Sequence, residues 1–266
     1  MPTLSVLCFN CFGSPISLNR KKRFPVIAQE IEKFNPDIVM LQEVTTPRSS
    51  RLLDKELQKL GWQAYFTQGL VFRRGGLTMY TKKHQLKSLT FHPFTNQGPL
   101  MSWSLADRIV CKGFQSAVLE FNQQDILLIN THVTSNYAKD KQRVGFQKQQ
   151  LDQIRVFINT QPYKEVILAG DLNFSPDSVI MKSFALNSHL QDTLSEEITT
   201  IDPNNVKDNW ILNTFSSEEP IRVDYVLVSP AIRVQQCEVV LSRPYVVDNK
   251  PCYLSDHSGI YAQLNF

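Results

Sequence analysis

The sequence of 266 residues lacks the features that mark several special structural classes. Its longest apolar runs, such as residues 126–129 and 166–169, are far too short to cross a membrane. The 10 glycines and 14 prolines are too few for a collagen-like or low-complexity chain, and no internal repeat is visible. A hydrophobic content of 42% excludes a disordered chain. No linker divides the sequence, which predicts a single domain over residues 1–266.

A strong excess of one charge and a set of paired cysteines are also missing. Lys and Arg number 28 against 25 Asp and Glu, and a net charge of +3 is too small to indicate nucleic-acid binding by itself. The five cysteines are odd in number and are therefore expected to be reduced thiols rather than a disulfide framework. Cys8 and Cys11 form a Cys-x-x-Cys, but zinc or redox chemistry there is disfavoured, because no second cysteine pair or histidine pair lies at zinc spacing. No charged segment followed by an apolar one marks a signal peptide, so a cytoplasmic or peripheral membrane protein is expected.

Strand and helix patterns alternate along the chain. Short apolar or alternating runs predict strands, and apolar residues at helical spacing predict helices at residues 24–34, after Pro47 and at 141–159. A long loop is expected at residues 91–108. This order predicts an α/β fold in which two sheets pack together with helices outside them. The predicted strands are residues 3–9, 38–41, 77–81, 86–90, 114–121, 126–131, 165–169, 222–229, 234–241 and 258–264.

Polar side chains stand at or near the ends of many of these strands. Each of them alone is explained equally well by a helix cap or a turn. Together they are too many for capping, and strand ends are where α/β folds hold functional groups rigidly. The candidate site residues are Asn10, Glu43, His132, Asp171, Asn173, Asp224, Asp256 and His257.

The residue types indicate a metal and a general base. Mg²⁺ prefers oxygen ligands, so Glu43, Asn10 and Asp256 are the candidate metal ligands, with Mn²⁺ as an alternative cation. His257 paired with Asp224 suits a general base, because a carboxylate fixes the imidazole tautomer and stabilises the imidazolium.

The remaining polar groups suit the binding of a phosphate. His132 and Asn173 can donate hydrogen bonds to phosphate oxygens as negative charge builds on them. No Ser or Cys stands in a nucleophile elbow, so an acyl-enzyme mechanism is not indicated. The set predicts metal-assisted attack of water on a phosphate ester.

Six short motifs resemble those of the endonuclease/exonuclease/phosphatase superfamily, in the same order along the chain. The resemblance implies a DNase I-like fold, a four-layer α/β/β/α sandwich of two mixed sheets with outer helices, and Mg²⁺-dependent phosphodiester hydrolysis. It also implies that Asp171 orients or helps to activate the attacking water. The motifs are Phe9-Asn10, Leu41-Gln42-Glu43-Val44, Asn130-Thr131-His132, Gly170-Asp171-Leu172-Asn173, Val223-Asp224-Tyr225 and Ser255-Asp256-His257.

Within this superfamily the chain looks most like the neutral sphingomyelinases. That resemblance implies a phospholipase C that acts on sphingomyelin or a related choline phospholipid, with a phospholipid head group at a membrane surface as the partner. The similar segments are Asn10-Cys11-Phe12-Gly13-Ser14-Pro15, Ser104-Leu105-Ala106-Asp107-Arg108, Lys112-Gly113-Phe114, Thr131-His132, Asn136-Tyr137, residues 147–151 and Tyr253-Leu254-Ser255-Asp256-His257.

Two other functions stay open. The alternative to a lipid substrate is a nucleic acid or nucleotide, although Thr45 stands where DNA-repair members of the superfamily usually carry a Lys. Basic residues at 20–23, 73–74 and 82–83 suit either a phosphate backbone or anionic lipid head groups. Apolar side chains of the 91–108 loop, such as Phe94 and Trp103, could enter a bilayer or stack on a base. A non-enzymatic binding module is disfavoured because each catalytic position holds a competent residue.

Overall fold

The computed structural model describes residues 2–14, 17–98, 108–136, 140–206 and 219–266. Within these ranges the chain forms two six-stranded mixed sheets, a short hairpin and four α-helices. The strands are β1 (Thr3–Asn10), β2 (Ile38–Gln42), β3 (Gln63–Tyr65), β4 (Thr78–Thr81), β5 (Leu86–Pro93), β6 (Gly113–Phe121), β7 (Gln124–His132), β8 (Glu165–Asp171), β9 (Gln191–Asp192), β10 (Asp224–Val228), β11 (Arg233–Val240), β12 (Tyr245–Val247), β13 (Lys250–Cys252) and β14 (Gly259–Asn265). The helices are α1 (Arg20–Phe34), α2 (Pro47–Lys59), α3 (Lys141–Thr160) and α4 (Val179–Asn187).

The two sheets share one plan. The first sheet has the order β11-β14-β1-β2-β4-β3 and the second has the order β5-β6-β7-β8-β10-β9. In each sheet a parallel pair lies at the centre, β1 with β2 and β7 with β8, and the pairings on either side are antiparallel. The central parallel strands are buried on both faces, as their nearly continuous apolar sequences predict.

Three apolar clusters define four layers. One cluster fills the space between the two sheets and contains Val6, Met40, Leu128 and Ile167. A second cluster joins the outer face of the first sheet to α1 and α2, and a third joins the outer face of the second sheet to α3 and α4. The predicted α/β/β/α sandwich is therefore confirmed.

Local residue preferences explain how two of the helices begin. Pro47 begins α2, where its missing N–H costs no hydrogen bond. The Asp140 side chain caps α3 by accepting a hydrogen bond from the Gln142 backbone N–H. Helix α1 begins at Arg20, before the predicted start at residue 24, so Pro25 lies in its second turn rather than in its first. Among the described residues, no helix has both the length and the apolarity to cross a membrane.

The prediction of a loop over residues 91–108 is wrong at its start. Strand β5 continues through Pro93, which pairs with Gly113. A proline can occupy this position because β5 is an edge strand, so its missing N–H leaves no ladder bond unmade. Phe94 follows directly and is buried, only 3% exposed, against Phe114 and the helices. The part of the predicted loop that holds Leu100, Met101 and Trp103 lies outside the described residues.

All five cysteines are free thiols, as predicted. Cys8 lies in the cluster between the two sheets, whereas Cys11 lies in the cluster under α1 and α2. Burial raises the pKa of both thiols. The two side chains therefore belong to different apolar layers and do not form a metal-binding pair.

A buried amide pair joins the two sheets. Gln42 at the end of β2 donates a hydrogen bond of 2.7 Å to the side-chain oxygen of Asn130 on β7. The Asn130 amide nitrogen donates to the backbone oxygens of Leu41 and Thr78, which belong to the first sheet. Since both side chains are fully buried, each bond replaces a contact with water that folding removes.

Asn130→Ala should lower the free energy of unfolding by about 2–4 kcal/mol, because the substitution removes three hydrogen bonds between buried groups of the two sheets. Urea denaturation measures this change. Asn159→Ala, which removes an exposed amide on α3, is the matched control and should change stability by less than about 0.5 kcal/mol. Equal effects of the two substitutions would contradict a bridging role of Asn130.

Candidate active site

All eight candidate residues lie at the same edge of the sandwich. Asn10 ends β1, and Glu43 follows the last residue of β2. His257 and Asp256 precede β14, which runs antiparallel to β1 and therefore starts at that edge. His132 and Asp171 end β7 and β8, while Asp224 begins the antiparallel strand β10. Asn173 follows β8 by two residues. The site thus receives side chains from both sheets.

Three candidates form a row across the second sheet. His132 pairs with Asp171 in the parallel register of β7 and β8, and Asp171 pairs with Asp224 in the antiparallel register of β8 and β10. Directly paired residues of neighbouring strands project from the same face. The His132 Nε2 atom is 3.3 Å from the Asp171 Oδ2 atom. The strand registers alone therefore place the side chains of His132, Asp171 and Asp224 next to one another.

His257 reaches this row from the side of the first sheet. Its Nδ1 atom is 2.7 Å from Asp224 Oδ2, and its Nε2 atom is 3.8 Å from Asp171 Oδ2. The imidazole is only 3% exposed. A carboxylate on Nδ1 leaves Nε2 as the nitrogen that can exchange a proton with a bound molecule, which is the arrangement predicted for a general base.

The buried charges of this row shift one another's pKa values. Burial opposes protonation of His257, but the carboxylates of Asp224, Asp256 and Asp171 outweigh it and raise the pKa of His257 well above its usual value. Burial, followed by the charge of Asp224, raises the pKa of Asp171 to about 7. Burial, followed by the charge of Lys112, lowers the pKa of His132 well below its usual value. His132 is therefore neutral at neutral pH, where it can donate one hydrogen bond.

Asn10 and Glu43 form the other half of the site. The Asn10 Nδ2 atom donates to Glu43 Oε1 at 3.3 Å and to Asp171 Oδ2 at 3.2 Å. Its Oδ1 atom accepts the backbone N–H of Phe12 at 3.0 Å, which holds the amide in place. Asn10 thus links the carboxylates that the two sheets supply.

Glu43 occupies a left-handed backbone conformation, with a φ of 57°, which is unfavourable for a residue with a side chain. Two glycines pack against it. A Cβ atom on Gly13 would lie 2.3 Å from the Glu43 backbone oxygen, and one on Gly76 would lie 2.6 Å from the Thr45 side chain and 3.3 Å from the Glu43 Cα atom. The Val44 N–H also donates to the Gly76 oxygen at 2.8 Å. Close packing on both sides therefore keeps Glu43 in this conformation.

The loop before β14 is fixed by a serine hydroxyl. Ser255 Oγ donates to the Asn10 backbone oxygen at 2.6 Å and accepts the His257 backbone N–H at 3.2 Å. Asp256 lies between these residues, with its Oδ1 atom 3.1 Å from Ser255 Oγ. This hydroxyl ties the loop that carries Asp256 and His257 to the end of β1.

Asn173 has a conformation like that of Glu43, with a φ of 54°. Its backbone N–H donates to Asp171 Oδ1 at 3.0 Å, and its Nδ2 atom donates to the Val133 oxygen at 2.9 Å. An amide nitrogen carries two hydrogens, so one donor remains for a ligand. The structure thus places Asn173 beside Asp171, as the motif predicts.

Lys112 was not among the predicted site residues. It is buried, 7% exposed, and donates to the Val133 oxygen at 3.0 Å. Its charge acts on the pKa values of His132, Asp171 and Glu43, which places it beside both halves of the site. In the structure, the burial of Lys112 directly before a strand identifies it as a site residue. The sequence does not show that this lysine is buried, so it offers no signal.

Several basic residues that suit a phosphate backbone in the sequence point inward in the structure. Arg23 is buried and donates to the backbone oxygens of Cys11, Phe12 and Leu254. Arg73 is buried and forms an ion pair with Asp54. Such residues support the loops around the site and are not available to an extended polyanion.

The donor set fits a divalent cation. Burial raises the pKa of Glu43, and the negative charge of Asp256 raises it further. The carboxylates of Glu43 and Asp256 therefore repel each other in this part of the site. Carboxylate and amide oxygens are the ligands that Mg²⁺ prefers. Ligand atoms of Asp171, Asp224 and His257 also lie within 4.8 Å of one another. In that second group, however, the short bond between His257 and Asp224 already engages two of the three side chains.

The fold and the strand-end site define the class of protein to which the chain belongs. Residues 7–257 match the family model described as the Endonuclease/Exonuclease/phosphatase family, and the chain belongs to that family. The match includes each of the eight candidate residues.

Two curated relatives cover almost the whole chain. A Drosophila melanogaster protein named "Putative neutral sphingomyelinase" is 26% identical over 98% of this chain. The "Inositol phosphosphingolipids phospholipase C" of Schizosaccharomyces pombe is 26% identical over 99% of it. The chain spans 60% of the length of the first relative and 69% of the second.

Solved structures share the fold at low identity. The crystal structure of SmcL is similar with a TM-score of 0.80, at 17% identity, and 99% of each chain is covered. A Staphylococcus aureus beta toxin variant with bound magnesium ions has a TM-score of 0.77 at 21% identity over 98% of this chain and 99% of that one. The D. rerio TDP2 structure with a single-strand DNA product has a TM-score of 0.76 at 19% identity over 99% of each chain.

Proposed function

We propose that residues 1–266 form one catalytic domain, a Mg²⁺-dependent phosphodiesterase of the phospholipase C type whose substrate is sphingomyelin or a related phosphosphingolipid. The observation that carries the catalytic part of this proposal is the His257–Asp224 contact of 2.7 Å beside Asp171, opposite Glu43 and Asn10. It is the geometry expected of a base that activates water next to a metal site.

Glu43, Asn10 and Asp256 would hold the cation. The carboxylate oxygens of Glu43 and Asp256 match the preference of Mg²⁺, and Asn10 would bind through the Oδ1 lone pair that its bond with the Phe12 N–H leaves free. The raised pKa of Glu43 indicates an unbalanced negative charge that a cation would offset. Mn²⁺ accepts the same ligands and is the alternative. When bound, such an ion supplies Lewis-acid stabilisation of the negative charge on the phosphoryl oxygens.

His257 would remove the proton from the attacking water through Nε2. Asp224 holds the ring through Nδ1 and stabilises the imidazolium that forms. Asp171 lies 3.8 Å from the same Nε2 atom and would orient the water that enters between them. The proton therefore ends on a group whose positive charge two buried carboxylates favour.

His132 and Asn173 would bind the non-bridging phosphoryl oxygens. His132 is neutral because its pKa is lowered, so it would act as a hydrogen-bond donor. Asn173 retains one amide hydrogen after its bond to Val133. His132 is the last residue of β7, and Asn173 is held by its hydrogen bonds to Asp171 and Val133. Donors held in fixed positions need little rearrangement as negative charge develops on the phosphate.

The lipid substrate is supported by the relatives that cover the chain over nearly its full length, both of which are named for sphingolipid phosphodiester cleavage. The inward orientation of Arg23 and Arg73 also leaves fewer cations for a nucleic-acid backbone. The second candidate function is a nuclease, which is favoured by the likeness of the fold to TDP2 bound to single-strand DNA. A membrane-peripheral location follows from the lipid substrate.

Purified protein should release phosphocholine from sphingomyelin vesicles in Mg²⁺ but not in EDTA. The release rate is measured beside that of nucleotides from single-stranded DNA, under identical conditions. Release from sphingomyelin with no cleavage of DNA supports the proposed substrate. Cleavage of DNA alone, by protein that remains folded, would contradict it and favour the nuclease.

A further inference from the structure

The segment between β3 and β4 contains a tight turn with an aliphatic tip. The Gly69 N–H donates to the Phe72 oxygen at 2.9 Å, and Gln68 forms an antiparallel bridge with Arg73. Leu70 and Val71 therefore occupy the two central positions of the turn. Such positions usually hold Gly, Asn, Asp, Ser or Pro, because these residues satisfy turn geometry and meet water without cost.

Both tip residues are exposed to solvent. The relative exposure of Leu70 is 103%, the highest among the large hydrophobic residues that are described as exposed, and that of Val71 is 54%. A third aliphatic residue, Ile109, is 58% exposed and lines the same surface hollow as the turn. We call Leu70, Val71 and Ile109 the aliphatic patch. Single exposed apolar residues are ordinary, whereas several that share one hollow mark an interaction surface.

Two exposed arginines line the hollows that border the turn. Arg74 lines the hollow of about 360 Å³ beside the turn, and Arg51 lines a second hollow on the other side of it. Both arginines are exposed. The nearby carboxylate of Asp54 is neutralised by its ion pair with Arg73. The surface around the turn is therefore apolar at its tip and positively charged at its sides.

The two segments that carry the aliphatic patch continue along the chain to residues that border the candidate active site. The chain runs from the turn into Gly76, which packs against the Glu43 backbone. On the opposite wall of the hollow, Ile109 and Cys111 lead directly into Lys112, whose charge acts on Glu43 and His132. Both walls of the hollow thus end at residues that border the site.

We propose that the aliphatic patch is a membrane-docking surface, which inserts Leu70, Val71 and Ile109 among lipid chains while Arg51 and Arg74 contact anionic phosphate groups. The proposal rests on the proposed function in taking a membrane lipid as the substrate. Docking at this point would turn toward the membrane the face of the protein from which the chain leads, through Gly76 and Lys112, to the candidate site.

Charge complementarity selects this occupant. Membrane surfaces that contain acidic lipids combine an apolar interior with a layer of negative charge, and an apolar tip flanked by arginines matches both. The tip projects from a narrow turn, so it offers a small insertion surface rather than the broad, flat area that a stable protein interface requires. The structure therefore favours a lipid bilayer over a second protein.

The experiment is vesicle co-sedimentation in EDTA, where no hydrolysis is expected, with vesicles of phosphatidylcholine and sphingomyelin, with and without phosphatidylserine. L70S/V71S should weaken binding by about tenfold or more, because the loss of two inserted side chains removes most of the apolar contact. R51Q/R74Q should remove the preference for vesicles that contain phosphatidylserine. V179S/L186S removes two exposed aliphatic residues of α4, at 83% and 75% exposure, and should bind like the wild type.

A second measurement separates docking from catalysis. Hydrolysis of bis(p-nitrophenyl) phosphate, a soluble diester, should be equal in L70S/V71S and the wild type, which also shows that the variant is folded. Equal vesicle binding by these two proteins would overturn the proposal. The absence of wild-type binding to every vesicle would also overturn it. In that case, self-association of the wild type that L70S/V71S abolishes would identify a second copy of the chain as the occupant of the patch. Turn-dependent binding without sphingomyelin cleavage would support the docking surface and contradict the proposed substrate.

Discussion

His257→Ala should reduce the rate of phosphodiester hydrolysis by about 10³- to 10⁴-fold, because a positioned general base contributes up to that factor. The residue has no close substitute in the site. His132 is neutral but lies on the far side of Asp171, and Asp171 itself lacks a partner equivalent to Asp224. The change should appear in kcat more than in KM, since the imidazole acts on the water rather than on the bound lipid.

The wild-type rate should also rise with pH as His257 loses its proton. Only the neutral imidazole can accept a proton, and the neighbouring carboxylates raise its pKa well above the usual value. The acid side of the pH–rate profile should therefore lie at a higher pH than for an isolated histidine. In His257→Ala this titration should disappear from the profile, which distinguishes loss of the base from general damage to the fold.

The matched control is His84→Ala, in the turn between β4 and β5, where the imidazole lies 3.7 Å from Asp37. This variant should keep the wild-type rate and pH profile. A near-native rate in folded His257→Ala, with the titration intact, would refute the assignment of the base and shift attention to Asp171, whose pKa is raised to about 7.

Glu43→Gln should weaken Mg²⁺ binding on the order of 100-fold, since even partners that only support a metal ligand contribute 10- to 100-fold. Calorimetric titration of the protein with Mg²⁺ measures this directly and does not depend on turnover. The phosphodiesterase rate at low Mg²⁺ should fall in parallel. Partial recovery at high Mg²⁺ is expected, because Asn10 and Asp256 remain.

The same substitution should stabilise the metal-free protein. Burial and the charge of Asp256 raise the folded-state pKa of Glu43, so its carboxylate destabilises the folded protein at pH values above the unfolded-state pKa. Glutamine removes that charge and retains the shape. Thermal unfolding in EDTA at neutral pH should therefore show a higher midpoint for Glu43→Gln than for the wild type.

Glu56→Gln on α2 provides the comparison, because its carboxylate pairs with Lys59 at the surface. It should change neither Mg²⁺ binding nor the unfolding midpoint by a measurable amount. Unchanged Mg²⁺ affinity in Glu43→Gln would locate the cation elsewhere, with the cluster of Asp171, Asp224 and His257 as the next group to test.

The strand ends were the most predictable part of the molecule. Alternating or continuous apolar runs are typical of buried strands, and the end of each run predicts where the strand ends. The polar residues that follow these runs lie at one edge of the sandwich. Asn10, Glu43 and Asp171 were assigned in this way and lie within hydrogen-bonding reach of one another through the Asn10 amide. Their chemical roles stay predictions that the variants above can test.

Short and irregular elements were not predictable from local patterns. Strands β3 and β9 and the β12–β13 hairpin have three residues or fewer in each strand, which is too short for a periodic signal. Strand β5 runs beyond its predicted end at residue 90 to Pro93, which is tolerated because β5 lies at an edge. Which strand lies at an edge is a property of the whole sheet.

Side-chain direction was the other limit. Arg23 reads as one member of a basic run at the start of a helix, but the fold buries it against three backbone oxygens. Nothing in the local sequence marks Gly76, although its lack of a side chain is what allows the Glu43 backbone to approach. Both roles depend on segments that are distant in sequence, so they emerge only after the sheets are assembled.

The two sheets each contribute half of the site, and this division makes catalysis a property of their docking. His257 comes from the first sheet and Asp224 from the second, and the Gln42–Asn130 amide pair is a direct hydrogen bond between the two sheets. A sliding motion between the sheets by even a fraction of a strand repeat would separate the imidazole from its carboxylate while every β-ladder remained hydrogen-bonded. Enzyme activity would thus be lost before secondary structure. A measurement of activity therefore reports on the packing of the two sheets against each other rather than on either sheet alone.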